Sequence, residues 1–290
     1  MTTEIRRLEH RMTPDPITLG PEDSLDRAIE EMNRHGFRHL PVVEEGRVVG
    51  MLSDRDLRLA TSLLPSPKRL RGKDGRPVSG PRVVREVMTT PVFVLPKDAE
   101  VSGAVRTMVE RRLGAIPVVR EEGGAELVGI VTETDFLAAF LETCRETKGA
   151  CDDLVRYHMR QPLPIVEPDV MVEDAFEVLD PGLGHLAVME GDRFVGIVSQ
   201  RDLLLGIARG LIVDAKAQEE GRLEVEDPRV RDVMTAEVLT AQPGDSLCSC
   251  AELLLTHRIG ALPVVEEGAA PMAILTQSDI LTHYMSLLHV

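Results

Sequence analysis

The stretch Gly50-Met51-Leu52-Ser53-Asp54-Arg55-Asp56-Leu57 decides how this chain is read, because its pattern returns three more times. It recurs as Gly129-Ile130-Val131-Thr132-Glu133-Thr134-Asp135-Phe136, as Gly196-Ile197-Val198-Ser199-Gln200-Arg201-Asp202-Leu203 and as Ala273-Ile274-Leu275-Thr276-Gln277-Ser278-Asp279-Ile280. In each, a small residue and two apolar residues lead to a hydroxyl, and an aspartate follows three positions later, ahead of an apolar run. Such an order predicts a buried strand that hands over to the first turn of a helix.

Working outward, Met12, Met88, Met159 and Met234 each begin a segment that overlays the others. Leu25, Ala28, Met32 and Leu40 recur as Val101, Ala104, Met108 and Ile116, and again as Leu247, Cys250, Leu254 and Leu262. The third copy keeps Val172, Ala175 and Leu179, then loses one residue near Asp180-Pro181-Gly182. Within each copy a Met-Thr-type turn leads to a short β run, such as Pro16–Leu19 or Val92–Leu95. A polar cluster such as Pro21-Glu22-Asp23-Ser24 then caps an amphipathic helix. That helix is expected to end near Gly36, Leu113, Gly182 or Ile259. An apolar strand follows, Leu40-Pro41-Val42-Val43 in the first copy, and the turn Glu44-Glu45-Gly46-Arg47 joins it to a second strand as a hairpin. The closing helix starts at the opening motif, so the order is β-α-β-β-α.

A unit of about sixty residues buries too little apolar surface to stand alone, so the copies must pack on one another. A longer period indicates which. Met12 returns as Met159, Met88 as Met234 and Asp56 as Asp202, about 146 residues on. Odd copies carry Ser-x-Arg-Asp with His39 or His185 upstream, while even copies have Thr-x-x-Asp with Ala115 or Ala261. The chain reads as a two-copy module duplicated whole. The copies are taken as 1–64, 83–145, 154–212 and 229–290. Between them lie a basic loop that includes Lys68 to Arg76, a polar stretch around 147–150, and an acidic stretch from Asp214 to Asp227 that reads as helical.

Composition narrows the partners. Among 290 residues 43% are apolar, 28% are charged and only 3% are aromatic, with no Trp. This describes a soluble globular chain whose core is aliphatic. A formal charge of −15 repels polyphosphate backbones, which argues against nucleic acid. No apolar run reaches the roughly 20 residues of a membrane span, and no signal-peptide pattern opens the chain, so a cytoplasmic protein is expected. Cys144, Cys151, Cys248 and Cys250 fit neither a disulfide scaffold nor a metal knuckle and read as buried or incidental thiols. His35 and His39 are helically spaced, but Gly36 and Phe37 interrupt the helix between them, so no metal site is expected.

The Met-Thr start, the Leu-Pro-Val-Val strand and the Gly-apolar-apolar-Ser/Thr-x-x-Asp close together resemble the cystathionine-beta-synthase (CBS) domain, four times over. The resemblance implies an α/β (α+β) fold of four CBS repeats, paired into two pseudo-two-fold Bateman modules that commonly assemble into a flat disc. It also implies that clefts between paired repeats bind adenosine derivatives: AMP, ADP or ATP, with S-adenosylmethionine or NAD(H) as relatives. In that reading Asp56, Asp135, Asp202 and Asp279 accept from the ribose hydroxyls, and Ser53, Thr132, Ser199 and Thr276 donate to phosphate. Both roles suit the chemistry, since a carboxylate offers two acceptors to a vicinal diol and first-turn N–H groups attract anions. His39, Ala115, His185 and Ala261 would lie beside the ligand, as would Thr18 and Thr240, with Arg55 and Arg201 adding charge toward phosphate.

Ser/Thr-x-x-Asp before an apolar run is also a helix cap, with the hydroxyl taking a first-turn N–H and the acid reaching back. The two readings are compatible if the cap opens to a ligand in some copies. Copy one has the fullest set, and the basic loop could lie over its phosphate, although a solvated linker explains that loop as well. Copy three has Ala187 for the strand proline, and copy four has Ala273 for the motif glycine. The functional expectation is a non-catalytic regulatory or energy sensor acting on an effector protein, with homodimerisation through the CBS modules. The rival is a ligand-free interaction scaffold. No nucleophile paired with a base, Gly-rich phosphate loop or metal-ligand cluster supports an enzyme.

Overall fold

The computed structural model describes residues 7–57, 81–146, 153–180, 182–204, 206–207, 228–266 and 269–288. The basic loop from Lys68 to Arg76, the acidic stretch from Asp214 to Asp227, the 147–150 junction and Cys151 lie outside them. The chain divides into two compact units, Met1–Cys151 with Gln277–Val290, and Asp152–Thr276.

In the first unit the elements run β1 (Thr13–Pro14), α1 (Leu25–His35), β2 (His39–Glu44), β3 (Arg47–Ser53), β4 (Leu95–Pro96), α2 (Val101–Arg111), β5 (Ala115–Val119), β6 (Leu127–Thr132) and α3 (Glu133–Glu146). The second unit holds β7 (Ile165–Val166), α4 (Val172–Val178), β8 (His185–Glu190), β9 (Arg193–Ser199), α5 (Leu247–His257), β10 (Ala261–Val264) and β11 (Ala273–Thr276). The last helix, α6 (Gln277–Leu287), packs within the first unit.

Local chemistry sets these elements. Ser24 caps α1 by accepting from the Arg27 N–H at 3.2 Å, and Ser246 caps α5 by accepting from the Ser249 N–H at 3.1 Å. Gly36, Arg112 and Arg258 end their helices in the left-handed conformation. The third copy differs from the sequence expectation. Its helix stops at Val178 and leaves through an extended Leu179, short of Gly182. Pro181 disfavours helical geometry at Asp180, which accounts for the early end. The β2/β3 hairpin turns through Glu45 and Gly46, both at positive φ, the geometry of a two-residue loop between twisted strands.

Pairing of the copies rests on exchange of their leading segments. Thr13 and Pro14 of copy one pair with Ile130 and Gly129 of copy two, while Thr89 of copy two bridges to Met51 of copy one. The second unit repeats this, with Arg160 bridging to Ile274 and Thr235 to Ile197. The residues just before these bridges lock onto the turn that leads into the mate's first helix. Leu8 N–H donates to the Ala99 carbonyl, Val84 N–H to that of Asp23, Val155 N–H to that of Asp245 and Val230 N–H to that of Val170. Val84 completes the core around Leu25, Met32, Leu40 and Leu52, and Val230 completes that around Val172, Leu186 and Val198. Each core therefore borrows a fully buried valine, worth about 1.5–2 kcal/mol of burial, from its mate. This explains why a copy of this size is not self-sufficient.

The motif glycines mark the closest approach. A Cβ on Gly50 would lie 2.5 Å from Met88 Sδ and 3.2 Å from the Thr89 carbonyl oxygen. On Gly129 it would meet Met12 Sδ at 2.5 Å and the Thr13 carbonyl oxygen at 3.0 Å, and on Gly196 the Thr235 carbonyl oxygen at 2.8 Å. Gly50→Val should therefore cost about 2 kcal/mol or more by overpacking, read from urea unfolding. Exposed Gly103, within α2 and with nothing within 4 Å of an added Cβ, should instead gain about 0.5–1 kcal/mol on Gly103→Ala.

Candidate functional site

Each hairpin brings together residues that the sequence reading grouped. His39 is the cross-strand partner of Ser53, Ala115 of Thr132, His185 of Ser199, and Ala261 of Thr276. The residue that leads the central strand therefore stands opposite the motif hydroxyl in all four copies. The short first strand runs parallel beside the same central strand, Leu19 against Val42 and Ala241 against Val264. Thr18 and Thr240 precede those two residues, and Val94 and Ile165 take that place in the other copies. Ile165 is 57% exposed, a large apolar side chain that the sequence reading did not single out.

At the start of the closing helix the cap is formed. Asp56 Oδ2 accepts from the Ser53 N–H at 2.8 Å and from its hydroxyl at 2.6 Å, while Ser53 Oγ accepts from the Asp56 N–H at 3.2 Å. Asp202 and Ser199 repeat this, with 2.9, 2.6 and 3.3 Å. Asp135 Oδ2 accepts from the Thr132 N–H at 2.7 Å and its hydroxyl at 2.8 Å. The bonds that each carboxylate accepts in its cap all go to Oδ2, so the cap uses one of its two oxygens. In copy one Oδ1 accepts from the hydroxyl of Thr89, at 3.2 Å, which makes the paired copy part of the site. Burial raises the Asp135 carboxyl above its ordinary value against the pull of its hydrogen bonds. In copy four, Thr276 is buried and its hydroxyl accepts from Arg160 Nη2 at 2.8 Å. Asp279 lies in the first turn of α6. Arg55 is exposed and Arg201 half-buried, both in the first turn after the motif hydroxyl.

The strand-leading residues sit at the seam between paired copies. Ala115 packs with Met51 and Ile130, and Ala261 with Leu163, Ala187 and Ile274. The His39 ring lies against Gly114 of the mate, where a Cβ would come within 2.5 Å of His39 Cε1. Burial, with Arg38 adding repulsion, pushes the His39 imidazole down to about 3. His185 places Nδ1 2.8 Å from the Leu183 carbonyl oxygen. Arg38 also donates to Gln277 Oε1 at 3.1 Å, beside Glu133, which accepts from Ser278. The first turns of α3 and α6 are thereby joined through one arginine of copy one. Sequence reasoning missed this arginine, whose only signal is its place next to His39.

Deeper between the same helices, Arg11 makes a two-pronged ion pair with Glu142, and Tyr284 is buried against Phe140 with its hydroxyl 3.2 Å from that of Thr143. The hydrogen bond from Arg11 holds the Glu142 carboxyl below its ordinary value. Cys144 and Cys250 are buried thiols outside any disulfide, pushed up to about 11 and about 12 by burial, which makes them poor nucleophiles. Cys248 is disulfide-bonded, which corrects the reading of all four cysteines as thiols. A bridge set by tertiary contact leaves no mark in cysteine spacing. Among the described residues no helix is long and apolar enough to cross a membrane.

The structure is thus one of β-α-β-β-α copies that exchange their leading segments in pairs, with a hydroxyl-aspartate cap at the strand-to-helix junction of copies one to three. The chain belongs to the CBS domain family: the family model matches residues 5–62, 84–142, 152–209 and 230–286. The uncharacterized protein MJ1225 of Methanocaldococcus jannaschii is 28% identical over 275 residues, covering 92% of this chain and 95% of that one. Its crystal structure, described as that of a candidate archaeal homolog of g-AMPK, superimposes with a TM-score of 0.76 at 26% identity over 96% of this chain and 99% of that one. An uncharacterized 33.4 kDa protein encoded in a ribosomal RNA operon of Thermofilum pendens is 28% identical, covering 92% of this chain and 87% of its own length. A conserved protein of Pyrococcus horikoshii shares the fold, with a TM-score of 0.59 at 20% identity over 95% of this chain and 98% of that one.

The desolvated imidazole of half-buried His39 has a consequence for acid stability. Unfolded, His39 takes a proton near 6.5; folded, near 3. Between those values the unfolded state binds more protons, so stability falls as pH drops through the window. The melting temperature of His39→Asn should decline less than that of the native chain from about pH 7 to about pH 4. Parallel declines would refute the assignment.

Proposed function

We propose that this chain is a non-catalytic regulatory sensor that binds adenine nucleotides, AMP, ADP or ATP, or a related adenosyl ligand, in clefts between paired CBS repeats. The observation that carries it is the half-used carboxylate. In copies one to three the cap engages Oδ2 of the motif aspartate, leaving Oδ1 as the acceptor for a ribose diol, shared in copy one with the Thr89 hydroxyl of the mate. The first-turn N–H groups beyond it suit a phosphate. The likeness to a candidate archaeal homolog of g-AMPK supports an adenylate over other ligands, and with it a cytoplasmic energy-sensing role.

In this proposal the sections 1–64 and 83–145 form one module and 154–212 and 229–290 the other. Thr18, His39, Ser53, Arg55 and Asp56 line the leading site, with Ala115, Thr132 and Asp135, and His185, Ser199, Arg201 and Asp202, forming its counterparts. The ligand regulates by binding two arrangements of a module with different affinity, and an effector protein reads the result. Ligand-free association as a scaffold is the alternative that the test below would leave standing.

Calorimetric titration with AMP, ADP, ATP, S-adenosylmethionine and NADH should find at least one ligand tighter than about 1 mM that also raises the melting temperature. Binding by none would end the sensor reading. Asp56→Ala should weaken the leading ligand roughly 10- to 100-fold, as expected for loss of hydrogen bonds to a charged acceptor, and lower stability by about 1 kcal/mol through loss of the cap. An equal loss of affinity with Asp279→Ala would overturn the priority given to copy one.

A further inference from the structure

Arg160 stands where the other copies have Thr13, Thr89 and Thr235, directly after the leading methionine. Its backbone behaves as theirs does. The N–H donates to the Ile274 carbonyl at 2.8 Å and the carbonyl accepts from the Ile274 N–H at 2.9 Å, as Thr89 does with Met51 and Thr235 with Ile197. Its side chain does something the threonines cannot. Nη1 donates to the Gly182 carbonyl at 2.8 Å and Nη2 to the hydroxyl of Thr276 at 2.8 Å. The guanidinium thus spans from the shortened loop of copy three to the motif hydroxyl of copy four.

The two pairs of copies differ at this point. In copy one the mate's Thr89 offers a single short hydroxyl to Asp56, and Ser53 stays half-buried, as do Thr132 and Ser199. In copy four the motif hydroxyl is only 7% exposed, and a planar cation fills the polar room beside it. Both prongs of that cation end on protein acceptors, through hydrogen bonds of the strong, charge-assisted kind. A ribose or phosphate group entering there would have to break both bonds and displace the guanidinium.

We infer that Arg160 is a built-in occupant of the fourth motif, closing it to nucleotide and confining ligand binding to the other copies. The inference rests on the reading of these motifs as adenylate sites. The loop at Gly182 is the one that has lost a residue relative to the other copies, and the same side chain holds it, so the shortening and the arginine act together. A phosphate-binding role for Arg160 is the competing assignment. The engagement of both prongs and the burial of Thr276 favour closure.

The test is the number of nucleotides bound per chain at saturation, by calorimetry and equilibrium dialysis with AMP and with ATP, for the native chain, Arg160→Thr and Arg160→Ala. Threonine is the residue that three copies already carry, so Arg160→Thr should fold, and thermal melts would confirm it for both variants. Each variant should bind one more nucleotide per chain than the native protein. An unchanged number, or one site fewer as a phosphate ligand would give, overturns the inference. If the native chain binds none while the variants gain a site, closure stands and the sensor reading of the native chain fails. If no form binds, both fall.

Discussion

The structure depends on how closely one copy's leading segment approaches its mate's motif. At Gly50, Gly129 and Gly196 a methionine side chain and a backbone carbonyl lie where a Cβ would stand. That approach lets the segment add to the mate's hairpin and send Val84 or Val230 into the mate's core. A copy whose helix start is hydrogen-bonded to another copy, with a core valine on loan, is not expected to be stable apart from it. The fourth copy meets the same demand with Ala273, whose bridge partner is the only leading residue that is not threonine.

The site follows from this pairing. Because the hairpins meet at the seam, the strand-leading residue faces the motif hydroxyl across the strands while packing against the mate, as His39 does on Gly114. The cap at the first three junctions is a structural device that also presents a carboxylate beside helix N–H groups. In the proposed reading the cap holds Oδ2 and a ligand would be met at Oδ1, so one side chain would serve both purposes. What separates the copies is the residue that the mate contributes, a threonine hydroxyl beside Asp56 and a guanidinium beside Thr276.

Helix α6 shows where repetition alone misleads. Its motif belongs to copy four, yet it packs in the first unit, with Tyr284 buried against Phe140 and Gln277 held by Arg38. An amphipathic face says that a helix will be covered and does not say by what. The same holds for Arg11, whose pairing with Glu142 spans 131 residues of sequence and has no local pattern.

Hydrophobic period, turn residues and the four recurring motifs were enough to determine the β-α-β-β-α order, the caps, the hairpin at Glu45-Gly46 and the need for copies to pair, because each follows from contacts within a few residues. The chemistry of Asp56 and Ser53 was legible for the same reason, since cap and motif lie on one turn. Only the tertiary structure decided that leading segments cross to the mate, that His39 and Ala115 lie on the seam, that Cys248 is bridged and that Arg160 reaches Thr276. Those outcomes rest on groups brought together from distant parts of the chain, where the packing of whole elements selects the partner and neighbouring residues carry no trace of it.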